Sequence, residues 1–437
     1  MMKRFSENER LFYGWHIVAG AFIILFFNAG ARYAFGIMFK HMVEEFGWSR
    51  GSVSLVFFVN MVVFAFALIL TGRLYDRYGP KWVIIVSTLF ISAGFALTST
   101  IQSIGQFFLS YGVLAAIGVA GTAVPFIATV TSKWFEKKRG LAISLALSGN
   151  SLGHFALVPL FSLFTLSYGW RALYLSIGII ILIVNILIAF FVIRGDPHHL
   201  GLKPFGQEGE KIGKTEIKGN PLSSTSDEDF GLKQAMKTRS YWLFVVIMFI
   251  CGGGDYFATT HLIPMATDYG VSPQTAGNML GWYGLMSLAG ILVAGPAADR
   301  IGNKIPIVLT FALRFFLYLL AVQFKTLPSL YLFAFLFGFT HLITAPLTPM
   351  LIGKLYGVRS IGVLTGFVNT IHFLGGGFWA YIAGVIFDET GSYQLAFLLL
   401  AGMAAVAALC SLGIVERRHH GYGAGRFGEG RAAPLKD

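Results

Sequence analysis

Apolar stretches of about 20 residues, long enough to cross a hydrocarbon core, recur along the chain and are separated by short charged segments. Six lie near 15–38, 52–71, 82–100, 105–131, 141–166 and 172–193; after a polar segment from Arg194 to Arg239, six more lie near 241–265, 277–295, 305–324, 328–352, 361–386 and 393–415. Each is predicted to be a helix, because backbone in hydrocarbon must satisfy its own hydrogen bonds and the alternating pattern of barrel strands is missing. The separator Gly72-Arg-Leu-Tyr-Asp-Arg-Tyr-Gly-Pro-Lys81, between spans 2 and 3, returns between spans 8 and 9 as Gly295-Pro-Ala-Ala-Asp-Arg-Ile-Gly-Asn-Lys304. The offset is a constant 223, and it also sets Phe46-Gly-Trp-Ser49 against Tyr269-Gly-Val-Ser272 and Arg32 against Asp255. With a one-residue slip, Gly140 meets Gly362, Asn150 meets His372 and Gly153 meets Gly375.

The pattern therefore predicts an all-α membrane protein, with twelve transmembrane helices in two pseudo-symmetric six-helix bundles related by an axis along the membrane normal. Its parts are a cytoplasmic N-tail (1–14), an N-terminal bundle (15–193), a cytoplasmic linker (194–239), a C-terminal bundle (240–416) and a disordered cytoplasmic tail (417–437). A short surface helix is expected between Phe230 and Tyr241.

Composition agrees: 55% hydrophobic and 12% charged residues in 437 exclude a soluble surface. Charge adds the orientation. Of the 33 Lys and Arg, 27 fall in segments on one side of the predicted membrane, against four (Lys40, Arg50, Arg171, Lys325) on the other. Positive-inside bias then puts both termini in the cytoplasm, and it accounts for the net charge of +12 without nucleic acid. Met1-Met-Lys-Arg4 is basic, but the apolar run that follows is too long for a cleavable signal. Cys251 and Cys410 lie inside apolar runs and are expected to be small packing residues. No phosphate-binding loop, soluble catalytic site or His-Glu-x-x-His metal motif is visible, so neither an enzyme, a cofactor nor a metal site is expected.

The two charged loops, the twelve-span layout and the long central loop resemble the major facilitator superfamily. Within it, Trp134-Phe-Glu-Lys-Lys-Arg-Gly-Leu-Ala142, leading into Ser148-Gly-Asn-Ser-Leu-Gly153, resembles the monocarboxylate and oxalate/formate transporter branch, as do Tyr33-Ala-Phe35 and Phe46-Gly-Trp-Ser49. The resemblance implies a monomeric secondary transporter of the bacterial inner membrane, cycling by alternating access, with spans 1, 4, 7 and 10 on the central path and spans 3, 6, 9 and 12 at the periphery. There is one departure. The arginine that this branch carries in span 8 is missing from Gly281 to Ala294, and Ile37 stands where mammalian-type carriers have a lysine. Either the carboxylate anchor is replaced, or the substrate differs.

Polar groups at membrane depth are costly and mark functional sites. Arg32 in span 1, with Asn28 one turn earlier, is the candidate carboxylate ligand; Tyr33, Asn150, Tyr283, His341, Thr344 and His372 are further candidate substrate contacts. Asp255, beyond Gly252-Gly-Gly254, is a candidate proton-coupling group together with His341, or else the counter-ion of Arg32. Gly72, Asp76, Arg77, Gly79, Asp299 and Arg300 are candidate gating residues. Arg314, in span 9, reads as a packing or lipid-headgroup residue, and His154 and His261 as structural histidines. The expected activity is proton-coupled movement of a small organic anion, a monocarboxylate. Anion exchange and export of amphipathic compounds are the alternatives within transport, and a non-transporting membrane sensor is the alternative outside it.

Overall fold

A computed structural model describes residues 12–206, 232–323, 325–357 and 361–416. Among these residues ten helices are long and apolar enough to span a membrane: α1 (Gly14–Phe46), α2 (Arg50–Thr98), α3 (Ile104–Ser132), α4 (Arg139–Phe191), α5 (Arg239–Asp268), α6 (Pro273–Ile301), α7 (Lys304–Gln323), α8 (Leu327–Tyr356), α9 (Ile361–Thr390) and α10 (Gln394–Gly413). Not all are regular throughout. A π-helical stretch, Phe108–Ala115, interrupts α3, and α8 divides into Leu327–His341 and Thr344–Tyr356. Residues 1–11 of the expected N-tail, the expected C-terminal tail and residues 207–231 of the expected linker lie outside the described residues. A short helix, Leu232–Ala235, falls where the surface helix is expected.

At 49 and 53 residues, α2 and α4 run to roughly 75–80 Å at 1.5 Å per residue, more than twice a hydrocarbon core of about 30 Å. Each is broken at one glycine: Gly79 (φ 77°, ψ 168°) in α2 and Gly169 (φ 80°, ψ 163°) in α4. These breaks fall between the predicted spans 2 and 3, and 5 and 6. Gly79 has its counterpart at Gly302 (φ 79°, ψ 168°), 223 residues on. A side chain is strained at such positive φ, so the repeat is a repeat of backbone as well as of sequence. The same offset relates Gly47 to Gly270, both at positive φ. It also relates the helix caps Ser49 and Ser272, whose hydroxyls accept from the amides of Ser52 and Thr275.

Phe66, Leu160, Phe316 and Leu409, each more than half exposed, stand on the outer surface, as expected where the surroundings are lipid. The helices α1–α4 and α5–α10 form two sets, and their contact is uneven. Arg50, at the start of α2, places its guanidinium on Asp268 at the end of α5 (2.7 Å) and on the Tyr393 hydroxyl (2.8 Å), with its guanidinium carbon 3.6 Å from the centre of the Phe387 ring. The Asp388 carboxylate accepts from the Arg50 and Gly51 amides (2.8 and 2.6 Å), and Lys40 reaches Asp268 (3.1 Å). Ser162 donates to the Pro273 carbonyl, and deeper in, the Ser151 and Ser287 hydroxyls meet at 3.0 Å. At the opposite end, no hydrogen bond or ion pair among the described residues joins loop 72–81 to loop 295–304. There Glu416 binds the Lys304 amide and the Lys354 ammonium within the second set. The buried cluster around Ile17, Tyr75, Phe126 and Trp134 stays within the first. Among the described residues the sets are thus held together by ion pairs and hydrogen bonds on the Arg50 side and by none between the repeated loops.

Arg50→Ala, in a cysteine-free background carrying Thr259→Cys, is expected to raise labelling by a membrane-impermeant thiol reagent severalfold when the reagent is added on the Arg50 side. Unchanged labelling would remove Arg50 from the closure.

Candidate functional site between the two helix sets

The crossing of α1 and α5 builds the site. Gly36 lets the helices approach so closely that an added Cβ would stand 2.7 Å from the Thr259 carbonyl. One turn earlier, Arg32 faces α5 and donates from Nη2 to the Tyr256 hydroxyl at 2.6 Å, with Met61 Sδ at 3.5 Å. Its guanidinium carbon lies 4.8, 5.3 and 5.7 Å from the ring centres of Phe64, Tyr256 and Phe373. Two adjoining clefts share Arg32 as a wall: one runs to Asn60, Phe95 and Tyr111, the other to Tyr33, Phe57 and Tyr256. Arg32 has no carboxylate within ion-pair distance among the described residues, so its charge is balanced by hydroxyl, sulfur and ring faces only.

Asp255, adjacent to Tyr256, points the other way. Its carboxylate is 2.6 Å from Nη2 of Arg314, and both side chains are almost wholly buried. This corrects two expectations: Arg314 is not a peripheral packing or headgroup residue, and the counter-ion of Asp255 is not Arg32. The physical reason is that the guanidinium finds its partners inward of α7, on Asp255 of α5 and Thr340 of α8; Gly254 leaves room for the Tyr318 hydroxyl, with which an added Cβ would clash. Arg314 also donates to Thr340 Oγ1 (2.9 Å) and to the Thr340 carbonyl (3.0 Å). The glycine run has a second use, since a Cβ at Gly252 would collide with the His372 carbonyl; α5 remains helical through it and nests against α9.

Several predicted site residues gather around Asp255 and not around Arg32. His341 Nδ1 is 3.3 Å from Asp255 Oδ1 and 2.7 Å from the Tyr283 hydroxyl. His372 Nε2 is 3.8 Å from Asp255 Oδ2, and Thr344 Oγ1 is 3.4 Å from Cys251 Sγ, which in turn lies 3.5 Å from Asp255 Oδ2. Ligand atoms of Cys251, Asp255 and His372 all lie within 4.8 Å of one another, but the Arg314 guanidinium in the same cluster opposes a metal cation. Asn28 is buried, donates weakly to the Thr122 carbonyl (3.5 Å) and accepts from Asn185 (3.2 Å), and it is not among the residues lining the two Arg32 clefts. Tyr33 does line one cleft, stacks on His154 with ring centres 3.6 Å apart, and has Asn150 beside it. His261 is held by Tyr393 (3.0 Å) and the Ala380 carbonyl (2.8 Å).

Of the candidate gating residues, Arg77 lies over the Tyr78 ring (5.3 Å). Gly72 has open space where a Cβ would be. Asp76, Asp299 and Arg300 make no bond across the sets among the described residues. Sequence reasoning missed Tyr256 as the partner of Arg32, and it missed the Arg50–Asp268–Asp388 closure. The repeat carried a signal for the second, since Asp268 stands 223 residues after Glu45 and both bind an arginine, Arg50 and Arg171 respectively.

Comparison with known proteins places this geometry. Residues 21–266 and 245–437 match the Major Facilitator Superfamily. Similar proteins include Monocarboxylate transporter 13 of Rattus norvegicus (25% identical, over 91% of this chain and 89% of that protein) and Monocarboxylate transporter 12 of Mus musculus (26%, over 92% and 85%). An uncharacterised MFS-type transporter of Bacillus subtilis is 25% identical over 90% and 94%. Among solved structures, the fold is shared with a bacterial homologue of the human lysosomal transporter Spinster, in an inward-facing, unoccupied conformation (TM-score 0.68, 15% identical, 94% of this chain and 95% of that one). It is also shared with the nucleoside transporter NupG (TM-score 0.71, 12% identical, 91% and 98%). The chain belongs to the Major Facilitator Superfamily, and is an integral membrane transporter of small molecules and not an enzyme.

Proposed function

We propose that the protein moves a small organic anion, a monocarboxylate, across the bacterial inner membrane by alternating access, coupled to protons. The observation that carries this reading is Arg32: a guanidinium at mid-membrane, between the two helix sets, with no carboxylate partner among the described residues. A cation drawn partly out of water without a counter-ion is costly, and its planar fork suits a carboxylate, so the substrate supplies the missing charge. The names of the related monocarboxylate transporters agree. The breaks at Gly79 and Gly169 divide α2 and α4 into two crossings each, for twelve crossings in a monomer with both termini cytoplasmic. The Arg50 closure is then periplasmic, the conformation is open to the cytoplasm, and the repeated loops around Asp76 and Asp299 are the gate that must close for the substrate to leave outward.

Coupling is assigned to Asp255. A proton there would free Arg314 and the Tyr283–His341 pair to rearrange, and Tyr256, next in sequence, would carry the change to Arg32. The same ion pair supports a second reading, exchange of one anion for another, in which the Asp255–Arg314 contact stays intact through the cycle. Uptake of labelled monocarboxylates into proteoliposomes under an imposed proton gradient, compared with counterflow, separates the two. For Asp255→Asn the expected result is loss of gradient-driven uptake with counterflow retained, the counterflow also certifying that the variant is folded. Gradient-driven uptake at the wild-type rate would reject the coupling role.

A further inference from the structure

The Arg50 contacts continue inward to His261, a wholly buried residue of α5. Its Nε2 lies 2.8 Å from the Ala380 carbonyl, which can only accept, so Nε2 carries a hydrogen. Its Nδ1 lies 3.0 Å from the Tyr393 hydroxyl. That hydroxyl oxygen accepts from Arg50 Nη1 at 2.8 Å, which leaves the hydroxyl's own hydrogen for Nδ1. Arg50, Tyr393, His261 and Ala380 thus form one line of hydrogen bonds, each donating to the next. The neutral imidazole with its hydrogen on Nε2 completes the line.

An imidazolium breaks it at Tyr393. The new Nδ1–H would aim at the oxygen that Arg50 already holds, and the hydroxyl hydrogen would lose its acceptor. A second cation would also stand near Arg50, with no carboxylate within ion-pair distance of the His261 ring among the described residues. The ionised groups of the closure are engaged elsewhere: Asp268 of α5 holds Arg50 and Lys40 of α1, and Asp388 of α9 holds the Arg50 and Gly51 amides. The other rings against His261, Phe39 of α1 (5.2 Å between centres) and Phe257 of α5 (5.6 Å), offer no hydrogen-bond acceptor. Burial keeps solvent from the imidazole while the helix sets are joined here, so a proton reaches it once they part.

We propose that His261 is the positioning residue of this closure. Neutral, it turns the Tyr393 hydroxyl so that its oxygen receives Arg50; protonated at Nδ1 by solvent on the Arg50 side, it keeps that side open. The open state binds a proton that the closed state excludes, so acid shifts the population toward open and alkali toward closed. Neither the ligand of Arg32 nor the role of Asp255 enters into this closure.

The test is the distance between spin labels on Ser167→Cys and Leu327→Cys, exposed positions at this end of the two sets. It is measured on the purified full-length protein in a cysteine-free background, without substrate, between about pH 8 and pH 5.5, where an exposed imidazole changes charge. With His261 in place, the long-distance population is expected to grow by about threefold or more as the pH falls. His261→Gln, whose amide can accept from Tyr393 and donate to Ala380 but takes up no proton, is expected to stay closed throughout. Tyr393→Phe cuts the line between Arg50 and His261, and is expected to be more open at the alkaline end and to change little on acidification. An equal pH response from His261→Gln would assign the effect to Asp268 and Asp388, which that variant retains, and would overturn the inference. So would a distance distribution that does not move with pH, or that moves toward closed in acid. Should His261→Gln fail to fold, Tyr393→Phe decides: acid-induced opening as large as with Tyr393 present rejects the role of His261.

Discussion

Arg314→Ala is expected to destabilise the protein by about 3–5 kcal/mol, the usual cost of removing one partner of a buried ion pair. The loss should be read as a clear fall in melting temperature of the detergent-purified protein, or as its loss from the monodisperse peak after mild heating. Arg314 makes its shortest bond to Asp255 (2.6 Å) and two more to Thr340. Truncation would strand a carboxylate that is 1% exposed, and an orphaned buried charge costs far more than a lost surface contact. Arg314→Lys keeps the charge without the fork and should fall between the two. Arg314→Met combined with Asp255→Leu removes both charges at similar volume and should recover most of the loss, because an apolar replacement of a whole buried pair is often neutral. An Arg314→Ala protein that melts with the wild type would show the pair to be dispensable for the fold.

The helices were legible in the sequence because membrane spanning is a problem of length and apolarity, and both are local properties. The repeat was legible for a different reason: Gly79 and Gly302 must be glycine to turn at φ 77° and 79°, and a backbone requirement leaves its mark at one position. Charge pairing was not legible in this way. Spans 1, 7 and 9 each hold a single Asp, Glu, Lys or Arg, namely Arg32, Asp255 and Arg314, and the 223-residue ruler paired the first two because they occupy equivalent places. Equivalent places in two repeats face each other across the symmetry axis only if both side chains point at it, however, and Asp255 points instead at Arg314 on another helix of its own set. Membership of a peripheral helix did not keep Arg314 peripheral, since a long side chain crosses a helix diameter. The ruler was one residue from the true contact: Tyr256, not Asp255, meets Arg32.

Arg32→Ala is expected to abolish uptake and leave the fold intact, the reverse of Arg314→Ala. A charge-assisted bond of this kind contributes about 1.5–3 kcal/mol, or roughly 10- to 150-fold in binding. Loss of the only cation on the cleft walls should bring initial rates in proteoliposomes to the level of empty vesicles. Stability should be little changed, because the hydrogen-bond partners of Arg32 among the described residues are the Tyr256 hydroxyl and Met61 sulfur and its removal strands no charge there. Arg32→Lys supplies a point charge without the planar fork and should retain a fraction of the rate at a raised half-saturating concentration. Measured side by side, rate and melting temperature separate the two arginines. Uptake at the wild-type rate by Arg32→Ala would remove it from the substrate path, and a fall in melting temperature as large as that of Arg314→Ala would make it a structural charge whose partner the cleft geometry does not reveal.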